Sequence, residues 1–116
     1  MRLSYNAQTK IIEKALDGER VSVLRPKWSN QAELLLKTMI LVKNTNNMND
    51  LMHFASVRPH RMVKDRQHKF ERLSLTPQGR LRIELQSESA DGTKLRELDY
   101  ASSRAHVLKV SNHYGD

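Results

Sequence analysis

The sequence predicts an α+β fold in which two N-terminal helices pack on a mainly antiparallel sheet of about four to five strands. Three observations carry this. Apolar residues recur at helical spacing through the first half of the chain, they alternate by two through the second, and Pro77-Gln78-Gly79 separates two of the alternating runs. With 116 residues, 38% of them hydrophobic, and only 4 Gly and 3 Pro, the chain suits one core, so residues 1–116 are expected to form a single domain.

Met1 to Tyr5 reads as a short first strand. From Ala7 to Asp17 a helix follows, with Ala7, Ile11, Ile12, Ala15 and Leu16 on one stripe and Gly18 stopping it. Glu19 to Lys27, interrupted by Pro26, reads as a connector, and Trp28 anchors the start of the next helix. That helix runs from Ser29 to Lys43, capped by Ser29 or Asn30, with Ala32, Leu35, Leu36, Met39 and Ile40 along one face. Asn44 to Asp50 is a polar turn, and Asp50 to Phe54 makes one more helical turn; Met39, Met48 and Met52 read as packing residues. The strands are marked by Leu73 and Leu75, by Leu81, Ile83 and Leu85, and by Leu108 and Val110. Phe70 is out of phase, which indicates either a bulge or a later strand start. Ser87 to Ser103 is a long polar connection to the last strand.

The charge is concentrated. Against 13 Asp/Glu stand 20 Lys/Arg, for a net charge of +7. The segment Arg58 to Arg82 holds eight basic residues against Asp65 and Glu71 and so accounts for +6 of it. This is the footprint of a polyanion binder. Alternation adds direction: if Leu81, Ile83 and Leu85 face the helices, Arg80, Arg82 and Glu84 face away. Arg72 and Ser74 likewise oppose Leu73 and Leu75, and Lys109 opposes Leu108 and Val110. A regular last strand puts His113 on the Lys109 side. The expected result is a basic outer face bearing Arg72, Arg80, Arg82, Lys109 and His113. The plain alternatives are that Arg66 pairs with Asp65 or Glu71 and that His60 is an ordinary surface histidine. His53 and His106 read as structural.

The exclusions are equally definite. Zero cysteines exclude disulfides, thiolate metal sites and a cysteine nucleophile, and the 5 histidines lack ligand spacing, so no metal and no cofactor are expected. No run approaches the roughly 18 apolar residues of a membrane span, and the N-terminus lacks the apolar core of a secretory signal. A cytoplasmic protein with no membrane partner is expected.

Several segments, taken in order, resemble the RelE/HigB-type toxins of bacterial toxin–antitoxin pairs, the plasmid-maintenance killer branch in particular. Arg58 to Phe70 (RPHRMVKDRQHKF) is similar to the family's H-x-L-K-G-D-R-x-G-x-F/Y stretch, with His60, Met62, Asp65, Arg66 and Phe70 at matching places. Pro77 to Leu85 (PQGRLRIEL) resembles its Y-R-L-I-F-E strand, with Arg80 at the arginine. Val107 to Asp116 (VLKVSNHYGD) resembles its closing I-x-I-x-D-Y-H strand. NAQTKIIEKAL adds an N-terminal likeness. Lys64 and His68 stand where the family has glycines, and the terminal pair is inverted to His113-Tyr114.

The resemblance implies a single RelE-like toxin domain acting as a metal-independent endoribonuclease on messenger RNA at the ribosome. It also implies partners: a cognate antitoxin of helix-turn-helix type, and operator DNA only through the toxin–antitoxin complex. In that chemistry the 2′-hydroxyl attacks the phosphodiester, so the protein moves protons and stabilises the phosphorane. Arg80 and Arg66 are the expected phosphate ligands, His113 the leading acid/base, Tyr114 a stacking or hydrogen-bonding group and His60 a second proton-transfer group. Lys64, Arg61, Arg72, Arg82, Lys109 and His68 are the expected RNA contacts. A gyrase-binding ParE-like member and an inert RNA- or DNA-binding member of the same fold are the alternatives.

Overall fold

The first strand pairs with the last, and this closes the fold. In the computed structural model, which describes residues 1–112, β1 (Arg2–Tyr5) runs parallel to β5 (Arg104–Asn112). The strands β2 (Pro59–Met62), β3 (Arg72–Leu75) and β4 (Leu81–Glu88) complete a mixed five-stranded sheet of order β1-β5-β4-β3-β2. All pairings other than β1–β5 are antiparallel. The α+β expectation holds, with more helical elements than the two expected: α1 (Lys10–Leu16), α2 (Arg25–Trp28), α3 (Ala32–Asn44) and α4 (Met48–Met52).

One core joins the layers. Ile12, Ala15, Leu35 and Met39 from the helices meet Leu73, Leu75, Leu81, Ile83, Leu85 and Val107 from the sheet, all fully buried. Burial of such side chains stabilises by roughly 1.5–3 kcal/mol each before the entropy of ordering is subtracted. Trp28 is buried at the head of the helical layer, with Lys27 Nζ 5.0 Å from its ring centroid, in the anchoring place expected of it.

Local chemistry moves several boundaries. α1 begins at Lys10 rather than Ala7 because Asn6 Oδ1 accepts from Gln8 N and Thr9 N, which spends residues 6–9 on a turn. The connector is partly helical: Pro26 lies in the first turn of α2, where its missing N–H costs no intrahelical bond. Ser29 adopts φ 47°, and neither it nor Asn30 caps α3, which starts three residues later than Ser29, at Ala32. Asn47 does cap α4, accepting from Asp50 N at 2.8 Å, so that helix spans Met48–Met52 instead of residues 50–54.

The sheet differs in one consequential place. β3 starts at Arg72, so Phe70 precedes the strand and makes no bulge. The register shift lies in β5: Glu84 pairs with Lys109 and Leu85 with Val107, leaving Leu108 as the extra residue. Val107 therefore enters the core in place of Leu108. The long connection carries a turn in which Ser89 N donates to Thr93 O, then a bridge between Glu88 and Lys94, before Tyr100 and Ser102 carbonyls accept from Asn49 N and Met48 N. Among the described residues no helix is long and apolar enough to cross a membrane.

Candidate functional site

The pairing register fixes which side chains share the sheet face opposite the helices. His60, Ser74, Glu84 and Lys109 form one row across β2, β3, β4 and β5. Arg82 and Ser111 pair on one side of that row; Gln86, His106 and Ser4 lie on the other, with Arg72 near them. This face is polar, as the alternation predicts. It is not uniformly basic, because Glu84 and Glu88 also belong to it.

Half of the face is closed by internal partners. Arg72 is 1% exposed; its Nε donates to Glu84 Oε1 at 3.0 Å, its Nη1 to Phe70 O at 3.3 Å, and its Nη2 lies 3.9 Å from Asp65 Oδ2. Arg104 Nε is 3.7 Å from Glu88 Oε1, and Glu88 Oε2 accepts from Ser4 Oγ at 2.7 Å. His106 is buried beside them, with Nδ1 2.8 Å from Ser4 Oγ and Nε2 3.5 Å from Asn6 Nδ2. Because Ser4 donates to the carboxylate, the imidazole Nδ1–H donates to Ser4, and Nε2 is left as an acceptor. Burial holds this imidazole below its ordinary pKa; Lys94 adds to that and Glu88 opposes it. Arg72 and Arg104 are thus structural cations, and His106 is structural as expected.

Buried polar atoms without a hydrogen bond occur in both halves: Arg104 Nε and Glu88 Oε1 in the closed one, Ser74 Oγ and Arg82 Nε in the other. Ser74 is fully buried, yet its Oγ makes no hydrogen bond; Arg82 Nε, diagonal to it on the next strand, is also buried and unbonded. An unmade hydrogen bond at a buried donor costs about 1–3 kcal/mol, so this pair is a local cost carried beneath the face. His60 is exposed across the strand from Ser74, with Nδ1 3.2 Å from Arg58 O. Arg58 holds φ 47°, a left-handed conformation that is costly for a side-chain-bearing residue. Donation from Nδ1–H to that carbonyl leaves the Nε2 lone pair of His60 outward, the tautomer of a proton acceptor. Lys109 is exposed in the same row.

The loop between β2 and β3 borders this half and is internally fixed. Asp65 Oδ1 accepts from Gln67 N at 2.8 Å and His68 N at 2.7 Å, and Asp65 N donates to His68 O. The His68 backbone N–H holds the Asp65 carboxyl below the usual carboxylate range. Arg66 stands exposed in this turn. The expected alternative pairing of Arg66 does not form: Asp65 serves His68 and Arg72, while Glu71 binds Arg61. His68 packs its ring edge-to-face on Phe70, centroids 6.2 Å apart.

The basic segment is divided rather than gathered. Arg61 pairs across from Leu73, on the opposite side of β2 from His60, and its Nε donates to Glu71 Oε2 at 2.8 Å. Its guanidinium and the Leu98 N–H hold the Glu71 carboxyl low. Lys64 Nζ lies 3.4 Å from Glu97. Arg80 is exposed at the β3–β4 hairpin. His113 and Tyr114 lie outside the described residues. Among the described residues no three His, Asp or Glu side chains gather as a metal site. Sequence reasoning put Ser74 on this face without seeing its cost, since only packing reveals that a serine hydroxyl lacks a partner.

No protein-family model, no curated protein and no solved structure matches the chain.

Proposed function

We propose that the chain is a metal-independent endoribonuclease of the RelE/HigB toxin type, cleaving messenger RNA at the ribosome and held inactive by a cognate antitoxin. The observation that carries the reading is the exposed row end formed by His60 and Lys109 with the half-buried Arg82 beside it on the same face, where the histidine's tautomer leaves Nε2 free to take a proton. A phosphodiester fits this surface: its non-bridging oxygens accept from the Arg82 guanidinium and the Lys109 ammonium, and its 2′-hydroxyl approaches the imidazole.

In the proposed step the 2′-hydroxyl gives its proton to His60 Nε2 as the 2′-oxygen bonds to phosphorus. Arg82, with Arg66 and Arg80 at the rim, stabilises the negative charge of the phosphorane. The bond from phosphorus to the 5′-oxygen then breaks, and His113 or Tyr114 protonates the leaving oxygen. The products are a 2′,3′-cyclic phosphate and a 5′-hydroxyl, with no oxidant or metal consumed. The resemblance in segments 58–70, 77–85 and 107–116 supports the same assignment.

A second reading, a member of the fold that binds nucleic acid or a protein such as DNA gyrase without cutting, draws on Glu84 and Glu88, which neutralise two arginines of the face. The deciding experiment incubates the protein in EDTA with ribosome-bound and free RNA and maps fragment ends. Fragments with 5′-hydroxyl ends, abolished by a 2′-deoxy nucleotide at the cut, are expected. RNA retention with no fragments in either setting selects the second reading.

A further inference from the structure

The register shift at Leu108 decides what β5 shows to each side. Upstream of it, Ala105 and Val107 face the core and His106 faces outward. Simple alternation beyond Val107 would send Leu108 and Val110 outward and Lys109 inward. With Leu108 as the extra residue, Val110 is buried at 6% exposure, while Lys109 and Ser111 join the face of His60 and Ser74. A bulge also frees backbone carbonyls from the ladder, and those carbonyls need donors.

Two side chains supply them. β1 ends at Tyr5, opposite Val107, so no main-chain partner from β1 continues past it. Thr9 Oγ1, 1% exposed, donates to Val107 O at 2.8 Å, and Asn6 Nδ2 donates to Leu108 O at 2.9 Å. The two donors are locked to each other: Asn6 N donates to Thr9 Oγ1 at 3.1 Å, and Thr9 N to Asn6 Oδ1 at 3.0 Å. A turn just after β1 therefore grips consecutive carbonyls of β5 at its one irregular point.

We infer that Asn6 and Thr9 are positioning residues that pin the β5 bulge and thereby hold Lys109 in the proposed RNA site. The link to RNA rests on the function proposed above; the clamp itself does not. Asn6 acts on the site only through the carbonyl of Leu108, and Thr9 only through that of Val107.

The chain has no cysteine, so one introduced thiol reports its own exposure. Lys109→Cys and Val110→Cys are each made in the otherwise native chain, in the Asn6→Ala/Thr9→Val background and in the Thr9→Ser background, and thiol labelling rates are compared. Native register gives labelling at 109 faster than at 110 by about tenfold or more, the protection a modest local opening free energy confers. The Asn6→Ala/Thr9→Val background is expected to bring that ratio to about one or below, as position 110 turns outward and 109 inward, and Thr9→Ser, which keeps the hydroxyl, to preserve it. Ala32→Cys, fully buried in α3, stays protected throughout if only the bulge has moved. An unchanged ratio in the double variant overturns the clamp, as does labelling of Ala32→Cys in step with Val110→Cys, which reports general unfolding. RNA binding is measured separately. If the ratio collapses while RNA affinity and its salt dependence stay native, Lys109 is not in an RNA site and the functional reading fails with the clamp intact.

Discussion

His60 and Ser74 face each other across β2 and β3, and they answer different questions. Loss of a general base lowers cleavage about 10²–10⁴-fold; His60→Ala is expected to do so in a single-turnover RNA assay while RNA affinity changes little. Ser74→Ala separates stability from function. Its hydroxyl is buried and unbonded, so removing it relieves a desolvation cost, and urea unfolding is expected to show unchanged or higher stability, by up to about 1 kcal/mol. RNA binding by the same variant is expected to stay native, because a fully buried hydroxyl does not meet the phosphate. A clear loss of stability in Ser74→Ala would show that the hydroxyl already has a partner in the free protein. His106 gives a third residue-level test. Its folded pKa is depressed by burial below the ordinary imidazole value, so the neutral ring contributes stability that is fully present above that value. The contribution falls as pH drops from there through the lower folded pKa. Thermal melts should therefore decline with acidification in that window, and His106→Gln should flatten the decline.

Between strands, the decisive pair is Arg72 in β3 with Glu84 in β4, both nearly excluded from water. Breaking a buried pair leaves an uncompensated charge, so Glu84→Ala is expected to cost about 3–5 kcal/mol in urea unfolding. Replacing both, as Arg72→Met/Glu84→Leu, should recover most of that. The element scale also shows what was legible in the chain. The periods of α3, β3 and β4 were, because Leu35, Met39, Leu73, Leu75, Leu81, Ile83 and Leu85 repeat at the spacing of the structure they form. Trp28 as an anchor and the turn at Gly79 were legible for the same local reason. The bulge at Leu108 was not: Leu108 and Val110 alternate in sequence as faultlessly as any strand, and only the Asn6 and Thr9 side chains, about a hundred residues away, make the shift favourable. The basic face was half legible. Periodicity gives the side on which Arg72 lies, but the β2–β3 loop that closes over it and the carboxylate that neutralises it are tertiary facts.

For the whole molecule, the relevant charge is not the +7 of the sequence but what the fold leaves unpaired on one face. Arg72, Arg104, Arg61 and Lys64 each sit within ion-pair distance of a carboxylate. Arg66, Arg82 and Lys109 form no ion pair among the described residues, and Arg82 and Lys109 belong to the outer face while Arg66 borders it. With Arg80 at the hairpin rim, four phosphate contacts on a single strand correspond to a slope of about −3 in log affinity against log salt, at about 0.7 per contact. Raising salt from about 50 to 200 mM should then weaken binding about fiftyfold, still less than if every basic residue of the segment 58–82 touched phosphate. Lys109→Ala is expected to reduce the slope by about 0.7, whereas Lys64→Ala, which loses only its solvated contact with Glu97, should leave it unchanged. Fluorescence anisotropy with a short fluorescent RNA at several salt concentrations measures both. A slope near zero would remove the phosphate from the Arg82–Lys109 surface, and equal effects of Lys64→Ala and Lys109→Ala would mean that RNA senses a diffuse positive field and not this face.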